Sequence, residues 1–423
     1  MNSKLLSYGK NLSIYFGASL IPMALNLITN PLIAMNMSPE DYAIVGYYTS
    51  YSSLIGPIIV FYLVHYYIKE YFRRDENSRL QLKAMIAKAL IFFSSAISVV
   101  CFGILFIYLA AIRKDFNLPI LPYLALMVFA LPLTGLLALE QAQFRMDRQA
   151  TAYFKLTVAN GALAVVLSLV FVVLLKWGAL GKLLGILVCN LIIFFILVAK
   201  YWDLLKFKIP IKQFFPVLSF CLPLALSATL GYFNQGFSTT YLESLNMTTQ
   251  YGIYVVGMTI GLYLTTFSTA INNTFQPDLY ESIAKRWWKR YIKVCALQIS
   301  LISAIAIIFI IAAPYIIGVL TANRYVQSTP YAQIVSLASV SSSIYYIINN
   351  FSIATDRPKL YLYTTIIGSA IIILAMPLVV NKFHFIGGAW MIVISYIIFA
   401  IINCILLLIP INKKPWLKKS NAL

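Results

Sequence analysis

Long apolar runs fill almost the whole chain, each near the ~20 residues that carry a helix through a bilayer, and short polar turns separate them. The cuts fall at Pro39, Pro119, Pro210, Asp356-Arg357-Pro358 and Pro410 and at charge clusters between the runs, because Pro and charge both end an apolar helix. They predict twelve helices, at 11–36, 42–67, 84–112, 118–144, 151–175, 179–201, 214–241, 250–276, 291–320, 328–352, 359–380 and 386–410. The first run differs from a lipid-facing helix. Pro22, Asn26, Thr29, Asn30 and Pro31 interrupt it before the turn Ser38-Pro39-Glu40-Asp41 starts a second run. Buried amides need partners or water, so this helix is expected to line a wet cavity.

Composition changes the picture from apolar helices to a membrane protein. The chain has 423 residues, 61% of them apolar and only 11% charged, with a mean hydropathy of +0.84, whereas soluble domains are about 25% charged. A polytopic all-α membrane protein follows. The first run is too long and too interrupted for a cleavable signal peptide and lacks a small-x-small site. All five cysteines (Cys101, Cys189, Cys221, Cys295, Cys404) lie inside apolar runs, the setting of Cys as a small core hydrophobe, so neither a disulfide framework nor a metal site is implied.

A net charge of +19 raises the question of nucleic acid. With the N-terminus placed inside, the outer connections hold only Arg113, Lys114, Lys176, Lys182, Arg324 and Lys382, and the other 26 of the 32 Lys and Arg lie on the opposite side. That asymmetry predicts both termini in the cytoplasm. It also absorbs most of the net charge, so no nucleic-acid partner is called for. The connections are too short to fold as domains, and the sequence has no Walker A motif and no loop carboxylate cluster for sugar transfer. No cofactor and no enzyme chemistry is expected; the work is done between helices.

The turn that starts the second helix recurs. Asn36-Met37-Ser38-Pro39-Glu40-Asp41-Tyr42-Ala43-Ile44-Val45-Gly46 resembles, with one-residue gaps, Asn246-Met247-Thr248-Thr249-Gln250-Tyr251-Gly252-Ile253-Tyr254-Val255-Val256-Gly257, half a chain later. A weaker echo joins Trp177-Gly178-Ala179-Leu180-Gly181 to Phe385-Ile386-Gly387-Gly388-Ala389-Trp390. The repeat predicts two six-helix lobes, 1–206 and 207–423, related by a pseudo-two-fold axis along the membrane normal with the pathway between them.

These residues also carry a resemblance. A first helix with Asn, the turn Met37-Ser38-Pro39-Glu40-Asp41-Tyr42-Ala43, Gln141-x-x-Phe144-Arg145-Met146-x-Arg148 and Gly178-Ala179-x-Gly181 resemble the polysaccharide-exporter branch of the MOP superfamily. Its members include the Wzx-type O-antigen flippases, and its relatives are lipid II flippases and MATE exporters. The resemblance implies a V-shaped, twelve-helix flippase with a central cavity in a bacterial inner membrane. It would carry an undecaprenyl-pyrophosphate-linked oligosaccharide, with an O-antigen polymerase and a chain-length regulator as candidate partners beside the bilayer.

Such a task needs polar groups for the sugar and a cation for the pyrophosphate. The candidate cavity residues are Asn26, Thr29, Asn30, Thr49 and Tyr51 in the first half, then Asn234, Gln235, Asn272, Asn273 and Gln276 in the second. Their alternative role is to hydrogen-bond packed helices together. The candidate headgroup residues are Lys10, Lys88, Arg145, Lys155 and Lys293 at the cytoplasmic edge, where a basic side chain also snorkels to the interface without any ligand. Glu140 and His65 are the titratable groups set deepest. Either could couple transport to protons; otherwise Glu140 is expected to pair with Arg145, Arg148 or Lys88, and His65 to bond an interfacial neighbour. The segment Lys285-Arg286-Trp287-Trp288-Lys289-Arg290 reads as a lipid-surface anchor. A MATE-like cation-coupled exporter is the rival, and an acidic residue in its first helix would be expected; 11–36 has none. A polymerase would need long outer loops, which are absent from the sequence.

Overall fold

In hydrocarbon a backbone N–H or C=O has no water to bond, so apolar runs of this length fold as helices. The computed structural model describes residues 17, 21–22, 24–71, 74–112, 118–147, 149–207, 213–354 and 359–408. All long regular elements among them are helical. Residues 24–36 form α1. They are followed by α2 (Pro39–Val60), α3 (Leu63–Glu70), α4 (Glu76–Ala111), α5 (Tyr123–Met146), α6 (Ala150–Leu174) and α7 (Gly178–Lys200). The chain continues through α8 (Phe214–Leu230), α9 (Tyr232–Leu242), α10 (Thr248–Ala284), α11 (Trp288–Leu320), α12 (Thr329–Ser336), α13 (Ala338–Ala354) and α14 (Lys359–Leu408). Ten helical stretches among the described residues are long and apolar enough to cross a membrane. The protein is a multi-pass, all-α membrane protein.

Several elements depart from the expected boundaries, each for a local reason. The expected helix 42–67 breaks in two, because Phe61 and Tyr62 both take left-handed backbone angles (φ 52° and 53°). Pro57 supplies no N–H, and the Phe61 N–H closes the last turn of α2 on the Pro57 carbonyl at 3.0 Å. The expected helix 84–112 starts earlier, at Glu76, where the Asp75 carboxylate caps the Ser78 N–H at 3.4 Å. Residues 214–241 and 328–352 each divide, at Gly231 and at Leu337. The pair expected at 359–380 and 386–410 runs as one 50-residue element that breaks at His384 (φ 48°, ψ −131°).

Packing divides the chain into two compact units. Unit 1 holds Met1–Thr229, Asn246–Gly252 and Val319–Arg324, and unit 2 the remainder. Unit 1 is centred on Leu63, Tyr67, Leu82, Ile86, Leu90, Leu136, Leu139, Leu197 and Tyr201, contributed by α3, α4, α5, α7 and the turn after α7. At one end, Ser38 and Asp41 form a capping box at the start of α2. The Ser38 N–H donates to Asp41 at 2.9 Å, and the other Asp41 oxygen takes the Ala179 N–H of α7 at 2.8 Å. One carboxylate therefore caps two helices. Gly178, at φ +48°, is needed there, since a Cβ would lie 2.4 Å from an Asp41 oxygen.

Both copies of the repeated turn begin a helix, α2 and α10, and within unit 1 they dock. The Thr249 hydroxyl donates to Glu40 at 2.8 Å. Gly252 lies so close to the Pro39 carbonyl that a Cβ would sit 1.8 Å from its oxygen, a space only Gly can leave. Asn30 donates to the Leu320 carbonyl at 2.7 Å, and Arg324 to the Ala34 carbonyl at 2.9 Å.

Unit 2 is joined by hydroxyls and amides between closely packed helices. Ser268 of α10 bonds the Ser343 hydroxyl at 2.5 Å and the Ser339 carbonyl at 3.0 Å on α13. Ser238 of α9 donates to the Gly388 carbonyl of α14 at 2.9 Å. Pro314 in α11 cannot donate to Ile310, and the Gln333 amide takes that freed carbonyl at 2.9 Å.

The double cap makes a prediction. Replacing Asp41 by Ala removes the acceptor for two backbone N–H groups and should lower stability by about 2 kcal/mol. Thermal melting of the purified protein in detergent reads this, and an unchanged midpoint would refute the assignment.

Candidate functional site

The predicted sugar contacts are mostly held by their own helices. Asn26 donates to the Pro22 carbonyl and Thr29 to the Leu25 carbonyl, both at 2.9 Å, and Thr49 to the Val45 carbonyl at 2.6 Å. Asn30 instead reaches Leu320, as above. Tyr51 is buried, with its hydroxyl 3.2 Å from that of Tyr47. In unit 2 the Oδ1 of Asn234 is buried without a hydrogen bond. Asn272 accepts from the Gln298 amide, while Nδ2 of Asn272 and Oε1 of Gln298 are left buried and unbonded. Groups of that kind cost free energy unless water or a polar ligand reaches them. The side chains of Gln235, Asn273 and Gln276, and all of Lys10, lie outside the described residues.

The cationic candidates separate. Lys88 donates to the Phe207 carbonyl; Lys155 and Lys293 are exposed. Arg145 is also exposed, and it sits on the wall of an open cavity of about 380 Å³ lined by α2, α3 and α5. Its guanidinium lies 5.8 Å from the centre of the Tyr153 ring. His65 lines the same cavity and stacks on Tyr62, ring centres 4.5 Å apart. His65 lies beyond the span that ends at Val60, and burial together with the charge of Arg145 holds its imidazole below the ordinary value. Arg145 is the guanidinium on the wall of this cavity.

Among the described residues Glu140 is met by other groups than Arg145 and Lys88; the third expected partner, Arg148, lies outside the described residues. The Glu140 carboxylate, 2% exposed, takes Lys83 at 3.4 Å together with Lys200 and the Tyr201 hydroxyl. Lys83 is nearly as buried as Glu140, whereas Lys200 is half exposed. Lys83 falls one residue before the helix expected to start at 84. The cap at Asp75 and Ser78 is the signal that would have set Lys83 two turns inside. To act as a proton carrier Glu140 would have to leave two ammonium groups and a hydroxyl. Among the described residues, no group of three or more His, Cys, Asp or Glu is placed to hold a metal ion.

Ten stretches long and apolar enough to cross a membrane, with amides and hydroxyls set between the helices, define a multi-pass all-α membrane protein. The match to the family described as polysaccharide biosynthesis protein runs over residues 37–330, and the chain belongs to that family. No curated protein matches it in sequence. Solved structures with a similar fold include an inward-facing multidrug resistance MATE family transporter of the MOP superfamily (TM-score 0.70, 13% identity, covering 93% of this chain and 97% of that one). The lipid II flippase MurJ in an inward closed conformation is comparable (TM-score 0.69, 14% identity, 93% and 87% covered). So is a MOP superfamily transporter from Pyrococcus furiosus, described as having a binding pocket of reversed polarity (TM-score 0.62, 15% identity, 94% and 93% covered).

Breaking a buried ion pair by removing one partner costs about 3–5 kcal/mol, whereas replacing both by apolar groups is often neutral. Glu140→Ala should therefore destabilise unit 1 strongly, and Glu140→Leu combined with Lys83→Met should recover most of the loss. Unfolding of detergent-purified variants checks this; a double variant as unstable as the single one would contradict it.

Proposed function

We propose that this protein translocates an undecaprenyl-pyrophosphate-linked oligosaccharide, an O-antigen repeat unit or a similar surface glycan, across the bacterial inner membrane by alternating access. The observation that carries the reading is the polysaccharide biosynthesis family match over residues 37–330 of an all-helical membrane protein. The MurJ-like fold supports a lipid-linked cargo. Transport of this kind makes and breaks no covalent bond, so the protein is a carrier and not an enzyme.

In this reading the six-helix lobes 1–206 and 207–423 are the two bodies that exchange access. Asn26, Thr29, Asn30, Thr49 and Tyr51, with Asn234, Gln235, Asn272, Asn273 and Gln276, offer amide and hydroxyl partners to the sugar. Both termini lie in the cytoplasm in this reading, which the excess of basic residues in alternate connections supports. A polymerase and a chain-length regulator would consume the delivered unit. Glu140 and His65 are the residues through which proton coupling would run. A MATE-like exporter has the same fold and is the alternative; the lack of any acidic residue in 11–36 weighs against it.

Deleting the protein from its host should abolish the surface glycan, cause lipid-linked oligosaccharide to accumulate, and leave sensitivity to cationic dyes unchanged. Intact surface glycan with raised dye sensitivity would replace the flippase reading with the exporter one.

A further inference from the structure

We propose that the open cavity lined by α2, α3 and α5 in unit 1 is a binding site for the phosphate end of an amphiphile, with Arg145 as its cation. The cavity follows from two local features of the chain. On α5, Leu131, Thr134, Ala138, Gln141 and Arg145 recur at alternating steps of three and four, which places them on one helix face. Opposite them the helix is interrupted. Pro57 and the left-handed pair Phe61 and Tyr62 end α2 and restart the chain as α3, leaving about 380 Å³ between the break and the α5 stripe.

Several cations of this region are held by carboxylates, and Arg145 differs from them. Lys83 and Lys200 meet Glu140, Lys69 and Arg74 meet Glu70, and Lys206 meets Asp203. Arg145 has no carboxylate partner among the described residues and rests against the Tyr153 ring. A guanidinium offers a planar fork of donors that fits two phosphate oxygens at once. His65 faces the same space, its ring stacked on Tyr62. Gln141 spends one amide hydrogen on Thr157 at 3.1 Å and keeps a second for a ligand.

The remaining walls, Val60, Ile68 and Leu131, are apolar. A small hydrophilic anion would leave them wet, and a neutral lipid would leave Arg145 unused. A phosphate joined to a hydrocarbon chain satisfies both. The volume is near the lower end of small-ligand pockets, about 300–1,000 Å³. It holds a diphosphate and the start of a chain and is too small for an oligosaccharide. The site therefore takes the anchor of a lipid-linked cargo and not its glycan. The lipid's identity rests on the flippase reading; the phosphate and chain specificity does not.

The test is calorimetric titration of the purified full-length protein in detergent with three probes: farnesyl diphosphate, farnesol and inorganic pyrophosphate. Farnesyl diphosphate should bind at least about tenfold more tightly than either of the others, and Arg145→Gln should weaken it by about tenfold or more, the loss of one charge-assisted contact. Arg145→Lys should retain part of the affinity. Ala138→Phe fills the apolar wall and leaves Arg145 in place, so it should weaken farnesyl diphosphate while sparing pyrophosphate. Lys206→Gln removes the same charge outside the cavity and should change nothing. Pyrophosphate binding as tightly as farnesyl diphosphate would overturn the amphiphile in favour of a free anion. Cavity variants that bind like the wild type, in a protein whose deletion still abolishes surface glycan, would overturn the cavity and leave the transport reading standing.

Discussion

Inside a bilayer every backbone N–H and C=O must find a partner within the protein, and the irregular features of this structure are placed by that demand. Helices break at Phe61–Tyr62, Gly231, Leu337 and His384, and side chains bond backbone carbonyls near breaks and prolines. The Gln333 amide covers the carbonyl that Pro314 abandons, and the Tyr48 hydroxyl takes the Pro119 carbonyl at 2.7 Å. Ser395 takes the Asn234 carbonyl at 3.2 Å, three residues past the Gly231 break. Much of the polar content of these helices thus serves the backbone first. What is left over, such as the buried unbonded atoms of Asn234, Asn272 and Gln298, is where water or a polar cargo has something to gain.

Charge follows a parallel logic. Removing an ion from water is expensive unless a partner compensates, and Glu140 is compensated from two helices and a turn at once, through Lys83, Lys200 and Tyr201. That cluster fixes α4, α5 and the end of α7 together. One turn further along α5, Arg145 is left outside it, facing a cavity. An ion pair that locks a unit and an arginine with no carboxylate partner among the described residues stand within a few residues of each other.

The fold class was legible in the sequence because apolar run length is the signal a bilayer imposes. Helix ends were less legible. The start of α4 depended on a polar cap at Asp75 that an apolar scan passes over, and the split of 42–67 depended on two left-handed non-Gly residues that no pattern announces. The repeated turn was visible, and its two copies meet in unit 1 through Glu40, Thr249 and Gly252. The site was legible only in part. Arg145 and His65 were read as separate candidates; their shared cavity depends on the helix break. An ion pair at Glu140 was legible, but its described partners Lys83 and Lys200 were not, because tertiary packing supplies them from sequence-distant helices.

The central claim is that this membrane protein moves a lipid-linked oligosaccharide from one leaflet to the other. The direct measurement reconstitutes the purified protein in sealed vesicles containing a fluorescent undecaprenyl-pyrophosphate oligosaccharide, and follows with time how much of the glycan is accessible to an impermeant glycosidase. Protein-containing vesicles should expose glycan from the inner leaflet until nearly all of it is digested, whereas protein-free vesicles stop at the outer half. Digestion that halts at the outer half with the protein present and folded would contradict the account.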